Sequence, residues 1–216
     1  MRKALQSVMA VGMILLAIAC GNDKTGVCHI TGTVDDPALN GRRIFLVPMG
    51  DTRREVVDSI EIKDGKFEFT RDTVMMAQIL LDYHYRMNTQ TLLVVVEPGE
   101  LQVQIGRVSS AAGTPLNDSL QQWKVATESH NGRIAMMRNN RKELEQKGNK
   151  PAADSVKQVI DSLRLDYKNY SRRMAANIDG TVLGDFLKGM FPRTYKRLLP
   201  DSTVVEYDAD THEPIR

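Results

Sequence analysis

Short β-prone runs separated by turn residues fill the first half of the chain, from Val27 to about Arg107. Alternating apolar and polar residues predict strands with one exposed face, whereas the continuous apolar run Leu92–Val96 predicts a strand that is covered on both faces. The predicted strands lie near 27–34, 42–49, 54–62, 66–71, 77–85, 91–97 and 101–107. About seven short strands with frequent turns predict an antiparallel β-sandwich over residues 27–112.

One turn is marked by its own residues. Asp64-Gly65 supplies the positive φ values that a type I′ turn requires, and Phe67 and Phe69 alternate with Lys66 and Glu68 after it. The segment from Ser59 to Phe69 is therefore predicted to be a β-hairpin.

The spacing of apolar residues becomes helical after Gly113. Thr114 is suited to cap a helix with Pro115 at its first position, and Gly148–Pro151 ends that helix and begins a second one. Both helices carry seams at alternating steps of three and four, which predicts an antiparallel helical hairpin. The seam positions are Leu116, Leu120, Trp123, Thr127, His130, Ile134, Met137, Arg141 and Leu144, then Val156, Ile160, Leu163, Tyr167, Tyr170 and Met174.

A third apolar patch, Val182–Phe191, predicts a short helix that Pro192 ends. The fold class is therefore α+β, with the hairpin and short helix over residues 113–191. The polar, partly acidic segment 192–216 is predicted to be a loosely ordered tail.

The N-terminus has the order of a secretory signal: Arg2 and Lys3, an apolar run from Val8 to Ile18, then Ala19. The following Cys20 completes a run, Leu16–Gly21, that resembles the bacterial lipobox. The prediction is a lipoprotein signal peptide over 1–19, a lipid such as palmitate attached at Cys20, and a tether over 20–26. The alternatives are an ordinary cleaved signal or an uncleaved anchor. A lipid anchor implies a cell-envelope location. The outer membrane, with the protein facing the periplasm, is the expectation, and the inner membrane is the alternative.

Composition excludes several classes. The 216-residue chain has 42% hydrophobic and 26% charged residues, typical of a folded protein, and its net charge of +2 gives no reason to expect nucleic acid as a partner. The only other cysteine, Cys28, lies in a predicted strand beside His29, and neighbours on a strand point to opposite faces. It is therefore expected to be buried and unreactive rather than a thiol assisted by His29.

No catalytic residue, metal ligand or cofactor site is predicted. Asp82–Arg86 (DYHYR) resembles a site, but on a strand it places a polar row on one face, which is typical of solvated surface. The four histidines lack metal-ligand spacing, and His130 on the helical seam is expected to be packed.

The segment from Ile30 to about Trp123 resembles a bacterial family, domain of unknown function 4369. The residues that carry the resemblance are Thr31–Val34, Val57–Ser59, Asp64–Phe69, Val96–Gly99 and Gly113–Asp118. In that family the β-domain commonly follows a lipoprotein signal and leads through helices to a thioredoxin-like domain. Here only a short tail follows Phe191 and no Cys-x-x-Cys occurs, so the resemblance implies the accessory half without oxidoreductase activity.

The resulting expectation is a membrane-anchored, non-enzymatic binding or assembly module. The helical arm is expected to self-associate or to bind a protein partner through the partly covered apolar residues Met136, Val159 and Leu165. The alternative is an accessory component of envelope thiol-disulfide metabolism, working with a separate thioredoxin-like protein.

Overall fold

The computed structural model describes residues 26–51, 53–81 and 92–215. It has the predicted α+β fold, in which two four-stranded sheets form a sandwich and three helices follow. The elements are β1 (Cys28–Val34), β2 (Arg43–Pro48), β3 (Asp58–Glu61), β4 (Lys66–Arg71), β5 (Met75–Leu80), β6 (Leu92–Val96), β7 (Gly99–Ile105), β8 (Ser110–Ala112), α1 (Pro115–Gln146), α2 (Lys150–Asn177), α3 (Val182–Met190), β9 (Thr194–Leu198) and β10 (Val204–Asp208).

The first sheet has the order β4-β1-β7-β8 and the second has the order β3-β2-β5-β6. Side chains such as Ile30 and Leu101 from the first sheet meet Ile44 and Val94 from the second in one buried core. The pairing is antiparallel except between β1 and β7, which are parallel. Alternation along β1 is the same whichever way its neighbour runs, so the sequence did not reveal this pair.

Strand β6 of the second sheet is covered on both faces. Val94 and Val96 of β6 point into the sandwich core, while Val95 points towards a second core with Trp123 of α1 and Leu183 of α3. The continuous apolar run of β6 was predicted on this basis, and the prediction is confirmed.

The turn at Asp64-Gly65 has the predicted form, with φ values of 50° and 70°. The predicted hairpin around it is wrong, because β3 and β4 belong to different sheets and only a single bridge joins Lys63 to Lys66. Ile62 is 1% exposed in the core between the sheets, so burying this side chain carries the chain across the sandwich before the turn.

The helical hairpin follows the predicted pattern. Every seam position named from the sequence is buried or half-buried. The Trp123 indole donates to Ser171 Oγ at 3.1 Å, and Thr127 Oγ1 lies 2.6 Å from the Tyr167 hydroxyl, which fixes the register between α1 and α2. At 1.5 Å per residue, α1 is about 48 Å long.

The segment 192–216 was predicted to be loosely ordered, and this is wrong for its described part. Strands β9 and β10 pair over five residues, with Tyr195 stacked on Tyr207 at 5.4 Å. Asp210, after β10, binds Lys168 and Arg172 of α2. Cross-strand packing and these ion pairs order a segment whose composition is that of a tail.

Candidate functional site

Two groups of candidate residues lie outside the described part of the chain. They are the predicted lipid attachment site Cys20, with its signal and tether up to residue 25, and the segment Asp82–Arg86. Their roles stay predictions.

Cys28 lies where the sequence indicated. Its side chain is 1% exposed in the sandwich core, whereas His29 is exposed on the opposite face of β1. Burial raises the pKa of the Cys28 thiol, since the thiolate would lose its hydration. The structure therefore does not bring Cys28 and His29 together as a reactive pair.

His130 is packed on the helical seam as predicted. Its ring stacks on Tyr167 with centroids 4.4 Å apart. Desolvation lowers the pKa of His130, and the charges of Arg133 and Arg164 lower it further. Within the ranges that the structure covers, no group of three or more His, Cys, Asp or Glu side chains could hold a metal ion.

Two of the runs that carried the family resemblance, Val96–Gly99 and Gly113–Asp118, lie at the junction between β6 and α1. β6 is an edge strand of its sheet, and Asn117 of α1 pairs with the free backbone of Val95: the Val95 N–H donates to Oδ1 at 2.9 Å and Nδ2 donates to the Val95 carbonyl at 2.6 Å. Nδ2 also donates to Thr114 Oγ1 at 2.8 Å. The Asn117 side chain thus occupies the position of a missing strand.

A carboxylate from the preceding loop caps α1. Glu97 Oε1 accepts the Leu116 N–H at 2.7 Å and the Asn117 N–H at 3.3 Å. Thr114 is the N-cap residue as predicted, but its side chain makes no capping bond. A glutamate in the loop between β6 and β7, 19 residues before Leu116, cannot be recognised from the helix sequence, so this contact was missed.

Gly113 is required at the same junction. It has a φ of 108°, and a Cβ at this position would lie 2.6 Å from the Glu100 carbonyl oxygen. The Gly113 N–H donates to Asp118 Oδ1 at 3.1 Å. Glu97, Gly113 and Asn117 therefore fix the direction in which α1 leaves the sandwich.

Lys124 is a further contact that the sequence did not reveal. Its Nζ donates to the Leu93 carbonyl of β6 at 2.6 Å. Lys124 lies seven residues, or about two helical turns, after Asn117. Burial lowers the pKa of Lys124 to about 8, because the charged ammonium is removed from water.

Beyond the sandwich the two helices form an arm, here residues 128–166, in which only residues on the seam between the helices are buried or half-buried. Large apolar side chains on the arm are exposed, namely Met136 (59%), Val159 (49%) and Leu165 (45%). The sequence predicted that these three would be only partly covered, and that prediction is confirmed.

The C-terminal part of α2 is bound by the segment that follows α3. The guanidinium of Arg172 is 7% exposed and donates to Asp210 at 2.5 Å and to the carbonyl oxygens of Phe191 and Pro192. The pKa of Asp210 falls to about 2, first because Arg172 donates to it and then because Lys168 does.

A family model described as "Domain of unknown function (DUF4369)" matches residues 28–120. This match agrees with the resemblance of the segment from Ile30 to about Trp123 to the same family. The match spans β1 to β8 and the first turns of α1, so it includes the Asn117 junction and stops before the arm. No curated protein and no solved structure matches this chain.

The sandwich in the matched segment is thus a base from which the arm extends. None of the helices in the described ranges is long and apolar enough to cross a membrane. The arrangement offers a rigid support and a thin two-helix projection with exposed apolar residues.

Proposed function

We propose that this protein is an envelope lipoprotein, anchored through Cys20, whose helical arm binds a protein partner without catalysing a reaction. The observation that supports the binding role is the exposure of Met136, Val159 and Leu165 on a two-helix arm. A two-helix arm whose burial is confined to its seam leaves such residues uncovered, and a partner that covered them would remove their apolar surface from water. The fixed junction with the sandwich gives the arm a defined direction.

The binding surface is tested by charge substitution. Met136→Glu with Leu165→Glu should abolish the crosslinks that the arm forms in envelope extracts, because a carboxylate in an apolar interface is costly to desolvate. Asn139→Glu with Gln158→Glu adds the same charge at exposed polar positions of the arm and should leave the crosslinks unchanged.

Light scattering of the soluble form identifies the simplest partner. A dimer that the Met136 and Leu165 variants dissociate indicates a second copy, whereas a monomer with crosslinked partners indicates another protein. A strict monomer at high micromolar concentration that recovers no partner would contradict the proposed binding role.

The anchor is tested separately. Cys20→Ala should abolish labelling with a palmitate analogue and release the protein from the membrane fraction, since the thiol is the lipid acceptor. Continued labelling and sedimentation of this variant would refute the anchor without affecting the binding role.

The alternative, an accessory role in thiol-disulfide metabolism, would need a reactive group. Cys28 is an unfavourable candidate because its thiol is buried and its pKa is raised. We expect Cys28 to react with a thiol reagent only after denaturation. Rapid reaction in the native state would support the alternative instead.

A further inference from the structure

The start of β1 and the start of α1 lie at the same end of the sandwich, here called the anchor end. The Gly99 N–H donates to the Val27 carbonyl at 3.0 Å, immediately before β1. A Cβ on Gly99 would lie 3.3 Å from Thr114 Cγ2, at the beginning of α1. The chain therefore enters the fold and begins its arm at one place.

From the anchor end, α1 runs along the edge of β6 towards the opposite end of the sandwich. Asn117 binds Val95 near the end of β6, and Lys124, seven residues further along α1, binds Leu93 near its beginning. Since β6 itself runs towards the anchor end, where Gly99 follows it, α1 runs away from that end.

The arm extends well beyond the sandwich. The seven residues of β1 span about 23 Å at 3.3 Å per residue. The 32 residues of α1 span about 48 Å at 1.5 Å per residue. The tip of the arm, near Lys147, therefore lies up to about 25 Å past the far end of the sandwich.

Cys20, the proposed lipid attachment site, is only a few residues along the chain from the anchor end of the sandwich. Six residue steps separate Cys20 from Gly26, and an extended chain of that length reaches at most about 21 Å. The bilayer that holds Cys20 would thus lie near the anchor end, whatever path those residues take.

The exposed apolar residues do not form one face that could lie on lipid. At 100° per residue, Val125 and Met136 lie opposite the α1 seam, whereas Val159 and Leu165 lie on two different sides of α2. A helix that rests in a membrane interface presents its apolar residues along a single face.

We infer that the tethered protein stands on its anchor end with the arm tip directed away from the bilayer that holds Cys20. The exposed residues of the arm tip then face the aqueous compartment rather than the lipid that holds the anchor. This inference rests on the proposed anchor and adds the orientation of the arm.

Energy transfer to labelled lipid tests the orientation. The lipidated protein, purified from membranes, is reconstituted in vesicles that carry an acceptor lipid, with a donor dye at Glu100→Cys near the anchor end or at Lys147→Cys at the arm tip. Both positions are exposed, and buried Cys28 leaves a low background, measured on the unsubstituted protein.

We expect strong donor quenching at Glu100→Cys and several-fold weaker quenching at Lys147→Cys. Equal quenching at both positions, with the protein floating with the vesicles, would overturn the upright orientation and leave the anchor intact. A protein that does not float and is quenched at neither position would refute the anchor and, with it, this inference.

Discussion

Asn117 does for the edge of β6 what another strand would do, and it does so with one side chain. Its amide pairs with both the N–H and the carbonyl of Val95 while remaining only 1% exposed. Lys124 repeats the device with a single bond to Leu93. Unpaired backbone groups at a covered edge would each be costly, so these residues make it favourable for α1 to lie there.

Asn117→Leu keeps the volume but leaves the Val95 N–H and carbonyl buried and unpaired. We expect the free energy of unfolding to fall by about 2–6 kcal/mol, at 1–3 kcal/mol for each of the two orphaned groups. Urea denaturation measures the change. Asn139→Leu, an exposed control on the same helix, should stay within about 0.5 kcal/mol of the native protein.

Lys124 should make the free energy of unfolding depend on pH in the alkaline range. Its pKa is about 8 in the folded protein and about 10.4 in an unfolded chain. Between these values the unfolded state binds more protons, so the free energy of unfolding rises with pH from about 8 to about 10.4.

Lys124→Met removes the titrating group, so the rise in stability over this range should be smaller in the variant than in the native protein. The comparison is made by urea denaturation at several pH values, which cancels the contributions of other lysines and tyrosines. Identical pH profiles would contradict the burial of this ammonium.

At the scale of elements, the C-terminal hairpin shows how a short piece of structure depends on what it binds. Two strands alone are marginally stable in water. Here Asp210 ties the hairpin to α2 through Lys168 and Arg172, and Arg172 also holds the carbonyl oxygens of Phe191 and Pro192. The hairpin is therefore ordered by its attachment.

The attachment should weaken in acid. Because the folded pKa of Asp210 is about 2, below the unfolded value of about 3.9, its stabilisation is complete above about pH 4 and is lost as the pH falls towards 2. Asp210→Asn should loosen the hairpin already at pH 7. Limited proteolysis between β9 and β10 measures this loosening, with Asp154→Asn, at an exposed position of α2, as the control.

At the scale of the whole molecule, the sandwich and the arm have separate supports. The sandwich core lies between the two sheets. The second core joins β5 and β6 to α3, to the N-terminal part of α1 and to the C-terminal part of α2. The arm contributes Ile134, Ala153 and Ile160 to the buried residues, all on the seam between α1 and α2.

The arm can be shortened by removing residues 131–163 and joining His130 to Arg164 through the native turn Lys147–Pro151. The sandwich should then remain folded. We expect a cooperative thermal transition and intact near-ultraviolet circular dichroism from Trp123. The same protein should lose the partner crosslinks of the full chain. Loss of cooperative unfolding would show instead that the base depends on the arm.

Local features were determined by the sequence alone. The two helical seams, the break at Gly148–Pro151 and the positive φ values at Asp64-Gly65 follow from residues that are near neighbours along the chain. Their physical basis is the helical period and the conformational freedom of Asp and Gly, which need no distant partner. The burial of Cys28 followed in the same way from strand alternation.

Pairings between distant segments were decided only by the tertiary structure. The parallel β1–β7 pair, the separation of β3 from β4, the capping of α1 by Glu97 and the docking of Asp210 on Arg172 each join residues far apart along the chain. A strand or a carboxylate carries no local mark of the partner it will meet. Burial of Ile62 and closure of the edge of β6 select these partners, because they are favourable only when the whole sandwich is assembled.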